Sequence, residues 1–240
     1  MNKIFSSWAF KLFIGALFIF SSALHSDELV DVSNFQEFFL WAGVKPQPIL
    51  DKADTVYILF GEVREENKSK IVPLKASVPT INHAKVWLTV RVERIDWEEQ
   101  VLNYLVKELA LWDKKNSDLV GLQIDFDANT YGLDKYFSFL KSLRKAIPEK
   151  FKLSITGVMD WIVLGDRDGF QKLNGVVDEI IIQTYQGTKT IQNYRDYLSK
   201  LNYFPLPYKI GLAQNGLFDE DIIDKRDPNF MGYVVFLVNK

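Results

Sequence analysis

The chain has 240 residues, 48% hydrophobic and 14% aromatic, with 29 Lys and Arg against 31 Asp and Glu and no cysteine. That balance leaves no polybasic footprint, so no nucleic-acid partner is expected, and without cysteine there are no disulfides, no thiolate chemistry and no lipid-modified N-terminal thiol. Only His25 and His83 supply imidazole, so a histidine-built metal site and a Ser-His-Asp triad are both poorly supplied.

Lys3 and Lys11 lead into the apolar run Leu12 to Phe20, followed by Ser21, Ser22 and Ala23. This is the pattern of a secretory signal peptide over residues 1–23, with cleavage after Ala23 and Ser26 as the rival position. The stretch between Lys11 and His25 falls short of the roughly 20 apolar residues that a spanning helix needs, so no stable membrane span is expected after removal of the signal. The mature protein is expected to be exported, periplasmic or extracellular.

The remainder, residues 27–240, reads as one domain. Short runs rich in β-branched and aromatic residues recur at Phe38–Trp41, Val56–Val63, Lys85–Glu93, Val120–Asp127, Lys152–Val158, Glu179–Tyr185, Tyr208–Gln214 and Gly232–Val238. Most are nearly continuous apolar stretches, as expected of parallel strands covered on both faces. Helical spacing is clearest in Trp97–Lys114 and Leu133–Ala146, the latter stopped by Pro148, and weaker over Gly187–Leu201. Residues 64–84 carry Pro73 and Pro79 without a helical pattern, and no regular eighth helix follows the last strand. The fold class expected is α/β, a single (β/α)8 TIM-barrel-like domain with abbreviated helices; an open α/β sheet is the competing architecture.

In Gly121-Leu-Gln-Ile-Asp-Phe-Asp127, strand alternation places Gln123, Asp125 and Asp127 on one face and Leu122, Ile124 and Phe126 on the other. Two like charges about 7 Å apart along a strand must meet water, donors or a ligand. In a barrel that face is the interior, and active sites sit at the C-terminal strand ends. The alternative for Asp127 is a cap on the following helix. The same alternation pairs Gln183 with Tyr185 at the end of the sixth strand, and Thr89 with Arg91 and Glu93 on the third. Arg91 either offsets the aspartates, binds an anionic substrate group, or pairs with Glu93 or Asp96. Trp41 and Trp161 fall where a barrel mouth needs aromatic walls, with an ordinary core role as the alternative for each. Desolvation beside a second carboxylate is expected to raise Asp127 and to leave Asp125 ionised.

Gly121-Leu-Gln-Ile-Asp-Phe-Asp127 resembles the fourth-strand Gly-x-Asp-x-Asp-x-Glu signature of family 18 glycoside hydrolases, the chitinase-like barrels. Leu122 to Ala128, Leu153-Ser-Ile-Thr-Gly157 with Trp161, and Ile182-Gln-Thr-Tyr185 together resemble a bacterial family, domain of unknown function 3142, over roughly residues 35–240. The resemblance implies a glycosidase-like barrel with a carbohydrate ligand and no cofactor. It implies Asp127 as the general acid, Asp125 orienting the substrate's 2-acetamido group, and Tyr185 hydrogen-bonding that group. Gln123 stands at the position of the family's first aspartate, and Gln186 at its sixth-strand aspartate. Gln123, Gln183, Trp161, Arg91 and Trp41 are the candidate substrate-binding residues. The function expected is hydrolysis of a glycosidic bond in an N-acetylglucosamine-containing polysaccharide, with a non-catalytic carbohydrate-binding or envelope protein as the alternative.

Overall fold

The computed structural model describes residues 26–75, 77–127, 132–165, 167–201 and 204–239. The expected export segment lies outside them. Among the described residues no helix is long and apolar enough to cross a membrane.

Eight strands run parallel in one sheet: β1 (Glu37–Leu40), β2 (Thr55–Val63), β3 (Lys85–Val92), β4 (Leu119–Asp125), β5 (Lys152–Val158), β6 (Glu179–Gln183), β7 (Tyr208–Ala213) and β8 (Phe230–Phe236). Each bonds to its neighbours in sequence, and β1 bonds to both β8 and β2. The ring therefore closes, and the open-sheet alternative is excluded.

The near-continuous apolar strands follow from that closure, because each strand has two dry faces. Val56, Ile58 and Phe60 of β2 point outward to the helix layer, whereas Tyr57 points inward to join Phe39, Trp87, Ile181 and Val234. On the outer face α1 (Glu99–Lys115) buries Val101, Leu105, Leu109 and Trp112 at four- and three-residue spacing. Helix α2 (Leu133–Ala146) buries Leu133, Tyr136, Phe137, Leu140 and Leu143. Each such aliphatic or aromatic side chain contributes roughly 1.5–3 kcal/mol when withdrawn from water.

The helix layer is otherwise thin. A 3-10 turn, Pro48–Lys52, follows β1, and an extended segment follows β2, with Val72–Pro73 paired antiparallel to the end of that strand. The short helices α3 (Asp160–Leu164) and α4 (Arg167–Gln171) follow β5. The helix expected over Gly187–Leu201 is a correction: Tyr185–Gln186 and Lys189–Thr190 form a hairpin, and only α5 (Tyr194–Leu198) is helical. Gly187 takes φ 61°, a left-handed turn conformation that a helix cannot continue through.

Inside the barrel, polar residues occupy two levels below the mouth. At the N-terminal end Lys209 donates to Glu37 at 2.6 Å and to Tyr57 at 3.0 Å and lies 3.2 Å from Glu179, while the Tyr57 hydroxyl donates to Glu179 at 2.7 Å. Burial alone would depress the Lys209 ammonium; Glu179 and Glu37 outweigh it and hold its pKa above the usual lysine value. Desolvation raises Glu37 despite the lysine. One level up, Thr89 donates to the Gln123 carbonyl oxygen at 3.1 Å, and the Gln123 amide donates to Ser154 at 3.0 Å. Gly121 lets β4 and β5 approach, since a Cβ there would lie 2.0 Å from the Lys152 carbonyl oxygen.

Candidate functional site

The third level is the mouth. Register sets Arg91 beside Asp125, and Gly157 and Val158 of β5 beside Ile182 and Gln183 of β6. The C-terminal strand ends so aligned open into a cleft of about 660 Å³ whose wall includes Trp41, Arg91, Asp125, Asp127, Gln183 and Tyr185. The ligand-sized opening thus lies where barrel enzymes place their chemistry. A smaller cavity of about 340 Å³ lies under the pairing of Glu28–Leu29 with Leu217–Phe218. Its buried carboxylate, Asp219, is already engaged by Arg195.

Asp125 closes the floor. It is 9% exposed, accepts a 2.8 Å hydrogen bond from the Thr156 hydroxyl, and has the Gln183 amide 3.5 Å away. Desolvation, with the negative charge of Asp127 adding to it, pushes its pKa up to about 6 against the opposing Thr156 hydrogen bond and the Arg91 charge. Near neutral pH this carboxyl exchanges between acceptor and donor forms, as acid-base chemistry requires. The expectation that Asp127 would be the desolvated carboxyl is corrected. Strand β4 ends at Asp125, so Asp127 lies beyond the ladder and is exposed, and the burial falls on Asp125. Nor does Asp127 cap α2, whose N-cap is Gly132.

One wall is aromatic. Tyr185 stacks on Phe236 at 5.4 Å between ring centroids, and Trp41 meets Phe236 edge-on at 5.7 Å. Among the described residues, neither the buried Tyr185 hydroxyl nor the buried Trp41 indole N–H has an acceptor for its proton. Burial first, then the Asp125 charge, drives the Tyr185 hydroxyl far above its ordinary pKa, so it is a donor throughout the physiological range. Buried donors of this kind normally have partners.

The structure brings Asp125, Asp127, Gln183, Tyr185, Trp41 and Arg91 to this single cleft. It does not bring Gln123 there: that side chain is 0% exposed and spent on Thr89 and Ser154 one level below. Nor is Trp161 on the cleft wall. It is the second residue of α3, is 2% exposed, and packs against Tyr136 and Phe170 in the helix layer, with its ring over Gly157. Arg91 is half exposed, 4.0 Å from Glu93. Phe236 and Asp160 line the cleft, and Thr156 lies buried beneath it against Asp125; strand patterning singled out none of the three. Thr156 and Phe236 were within reach, because each shares the inward parity of an expected strand. Asp160 carried no such signal, since it belongs to the first turn of α3.

Residues 80–198 match the family described as Domain of unknown function (DUF3142), and the chain carries that domain. No curated protein matches the sequence. The fold is similar to the crystal structure of the chitinase domain of the spore coat protein CotE from Clostridium difficile, with TM-score 0.51 and 13% identity over 86% of this chain and 74% of that one. It is also similar to the Bacillus cereus spore cortex-lytic enzyme SleL, with TM-score 0.50 and 12% identity over 73% of this chain. Half of that second chain is covered. At these identities the likeness is one of fold.

Proposed function

With a DUF3142 domain on a chitinase-like barrel as the premise, we propose that the protein is an exported glycoside hydrolase that cleaves an N-acetylglucosamine-containing polysaccharide in the cleft at the barrel mouth. The observation that carries this reading is the pairing of a buried carboxyl, Asp125, raised to about 6, with a wall of Trp41, Phe236 and Tyr185 holding two donors that lack an acceptor among the described residues. A sugar has apolar ring faces and a polar edge, and this cleft offers a surface for each.

In this reading Asp127, exposed at the rim, gives its proton to the leaving glycosidic oxygen as the bond to the anomeric carbon breaks. The substrate's own 2-acetamido oxygen attacks that carbon, so one protein acid suffices. Asp125 and the Tyr185 hydroxyl hold the acetamido group in line. Water then attacks the anomeric carbon, breaking its bond to the acetamido oxygen, and passes a proton back to Asp127. Holding the reacting atoms in a near-attack arrangement lowers the barrier to such a step.

A binding role without turnover draws on one observation: the exposed Asp127 sits on a side chain one methylene shorter than the glutamate of the family 18 signature. Reducing-end release and binding, measured separately on N-acetylglucosamine oligosaccharides, separate the two. Hydrolysis that is lost in Asp127→Asn while binding persists supports the enzyme. Binding without hydrolysis in the unmutated protein supports the lectin-like role, and neither across a broad glycan panel sinks both.

A further inference from the structure

Resting on the carbohydrate reading, we infer that Gln47 and Gln214 are positioning residues whose paired side-chain amides hold the Trp41 ring against Phe236, so that the aromatic wall of the cleft stands formed before a sugar arrives. Gln47 donates to Gln214 at 2.9 Å, and Gln214 donates back at 3.0 Å. Neither side chain lines the cleft. The pair lies where the ring has its shortest backbone pairing: β1 and β8 share two register pairs, Val235 with Phe38 and Phe236 with Phe39, the fewest between any neighbouring strands of the barrel. Past these pairs Val238 finds both its partners on side chains. Its N–H donates to Oε1 of Gln214 at 2.9 Å, and its carbonyl accepts from Nε2 of Gln47 at 3.0 Å. Both hydrogens of the Gln47 amide and both acceptor sites of the Gln214 oxygen are thereby engaged.

Asn239 adds a second clip across the same seam, accepting from the Lys45 N–H at 2.9 Å and donating to the Gly43 carbonyl at 2.9 Å. Residues 41–47, which begin with Trp41, are so fastened beyond the end of β8 at Gly43, Lys45 and Gln47. Trp41 itself has a reason to leave. Its indole N–H is buried and lacks an acceptor among the described residues, and a turn outward would return that donor to water. An orphaned buried donor in a native fold needs a cause. The tether supplies it, keeping the indole edge-on to Phe236 at 5.7 Å between ring centroids, with Tyr185 stacked on the same phenyl ring at 5.4 Å. An aromatic surface fixed in advance spares the ligand the cost of ordering it on binding.

The test is calorimetric titration of the full mature protein with the N-acetylglucosamine hexasaccharide, alongside fluorine NMR of 5-fluorotryptophan-labelled protein, in which the Trp41 signal is the one missing from Trp41→Phe. Gln47→Met keeps the length of the side chain and removes its amide. It is expected to weaken hexamer binding about tenfold, the cost of a wall no longer ordered in advance, and to enlarge the solvent-isotope shift of the Trp41 signal as the indole turns to water. Gln47→Asn, an amide one methylene short, is expected to fall between Gln47→Met and the unmutated protein in both readouts. In a Trp41→Ala background Gln47→Met is expected to cost no further affinity, because nothing is left for the amide to position. A merely structural amide would weaken binding equally with and without Trp41. That outcome, or undiminished binding in Gln47→Met, overturns this inference alone. Failure of the unmutated protein to bind the hexamer overturns the carbohydrate reading and this inference with it.

Discussion

The Thr156 hydroxyl on β5 donates to Oδ1 of Asp125 on β4 at 2.8 Å, and this one bond opposes the desolvation that raises the carboxyl. It favours the ionised form of a group that burial is neutralising.

Thr156→Val is therefore expected to move the Asp125 pKa above its present value of about 6. Carboxyl-carbon NMR titration of the variant against the unmutated protein reads the shift. An unchanged or lower value would show that Thr156 does not set the protonation state of the floor.

The folded protein binds a proton at Asp125 more tightly than the unfolded chain does, since the pKa rises from 3.8 to about 6. Stability is thus expected to fall as pH climbs from about 4 to about 6 and to stay lower above that. The shift corresponds to at most about 3 kcal/mol at pH 8. Asp125→Asn removes this dependence, so urea denaturation should show the variant more stable than the unmutated protein at pH 8 and nearly level with it at pH 4. Lower stability of Asp125→Asn at pH 8 would contradict the burial assigned to the floor.

At the opposite end of the barrel, Lys209→Met strands Glu37 and Glu179 without their cation. A loss of about 3–5 kcal/mol is expected, because an uncompensated buried charge costs more than the intact pair contributes. Adding Glu179→Gln should recover part of the loss, which a double-mutant cycle in urea measures as coupling. Additive losses would mean that the two side chains do not interact in solution.

Gly121→Ala puts a methyl group 2.0 Å from a backbone oxygen of β5. Backbone cannot yield as a side chain can, so a loss of about 3 kcal/mol or more is expected. Gly132→Ala, which meets nothing within 4 Å, serves as the control, and its cost should be about 1 kcal/mol or less. Similar thermal midpoints for the two variants would refute the close β4–β5 approach.

Much of the site was legible because strand parity is a strict period of two. Asp125, Gln183 and Arg91 fall at the mouth as alternation requires, and Trp41 follows directly on β1. Parity does not report depth. Gln123 shares its face with Asp125 yet lies a level lower, where Thr89 and Ser154 consume it. Periodicity likewise missed that β4 stops at Asp125, which sends Asp127 into solvent and reverses the expected order of desolvation.

The ionic cluster beneath the barrel was hidden for a different reason. Glu179 and Lys209 open otherwise apolar strands, where a charged residue reads as a solvated strand end. Only the ring geometry turns both inward against Glu37 and Tyr57.

Local chain chemistry by itself determined the strand-helix rhythm, the long amphipathic helices α1 and α2, and the inward polar face of β4, because each depends on neighbours a few residues apart. Closure of β1 on β8, the depth of each inward side chain, and which aspartate loses its water were decided by tertiary structure. Those depend on residues up to the whole length of the barrel apart, whose burial no local period encodes.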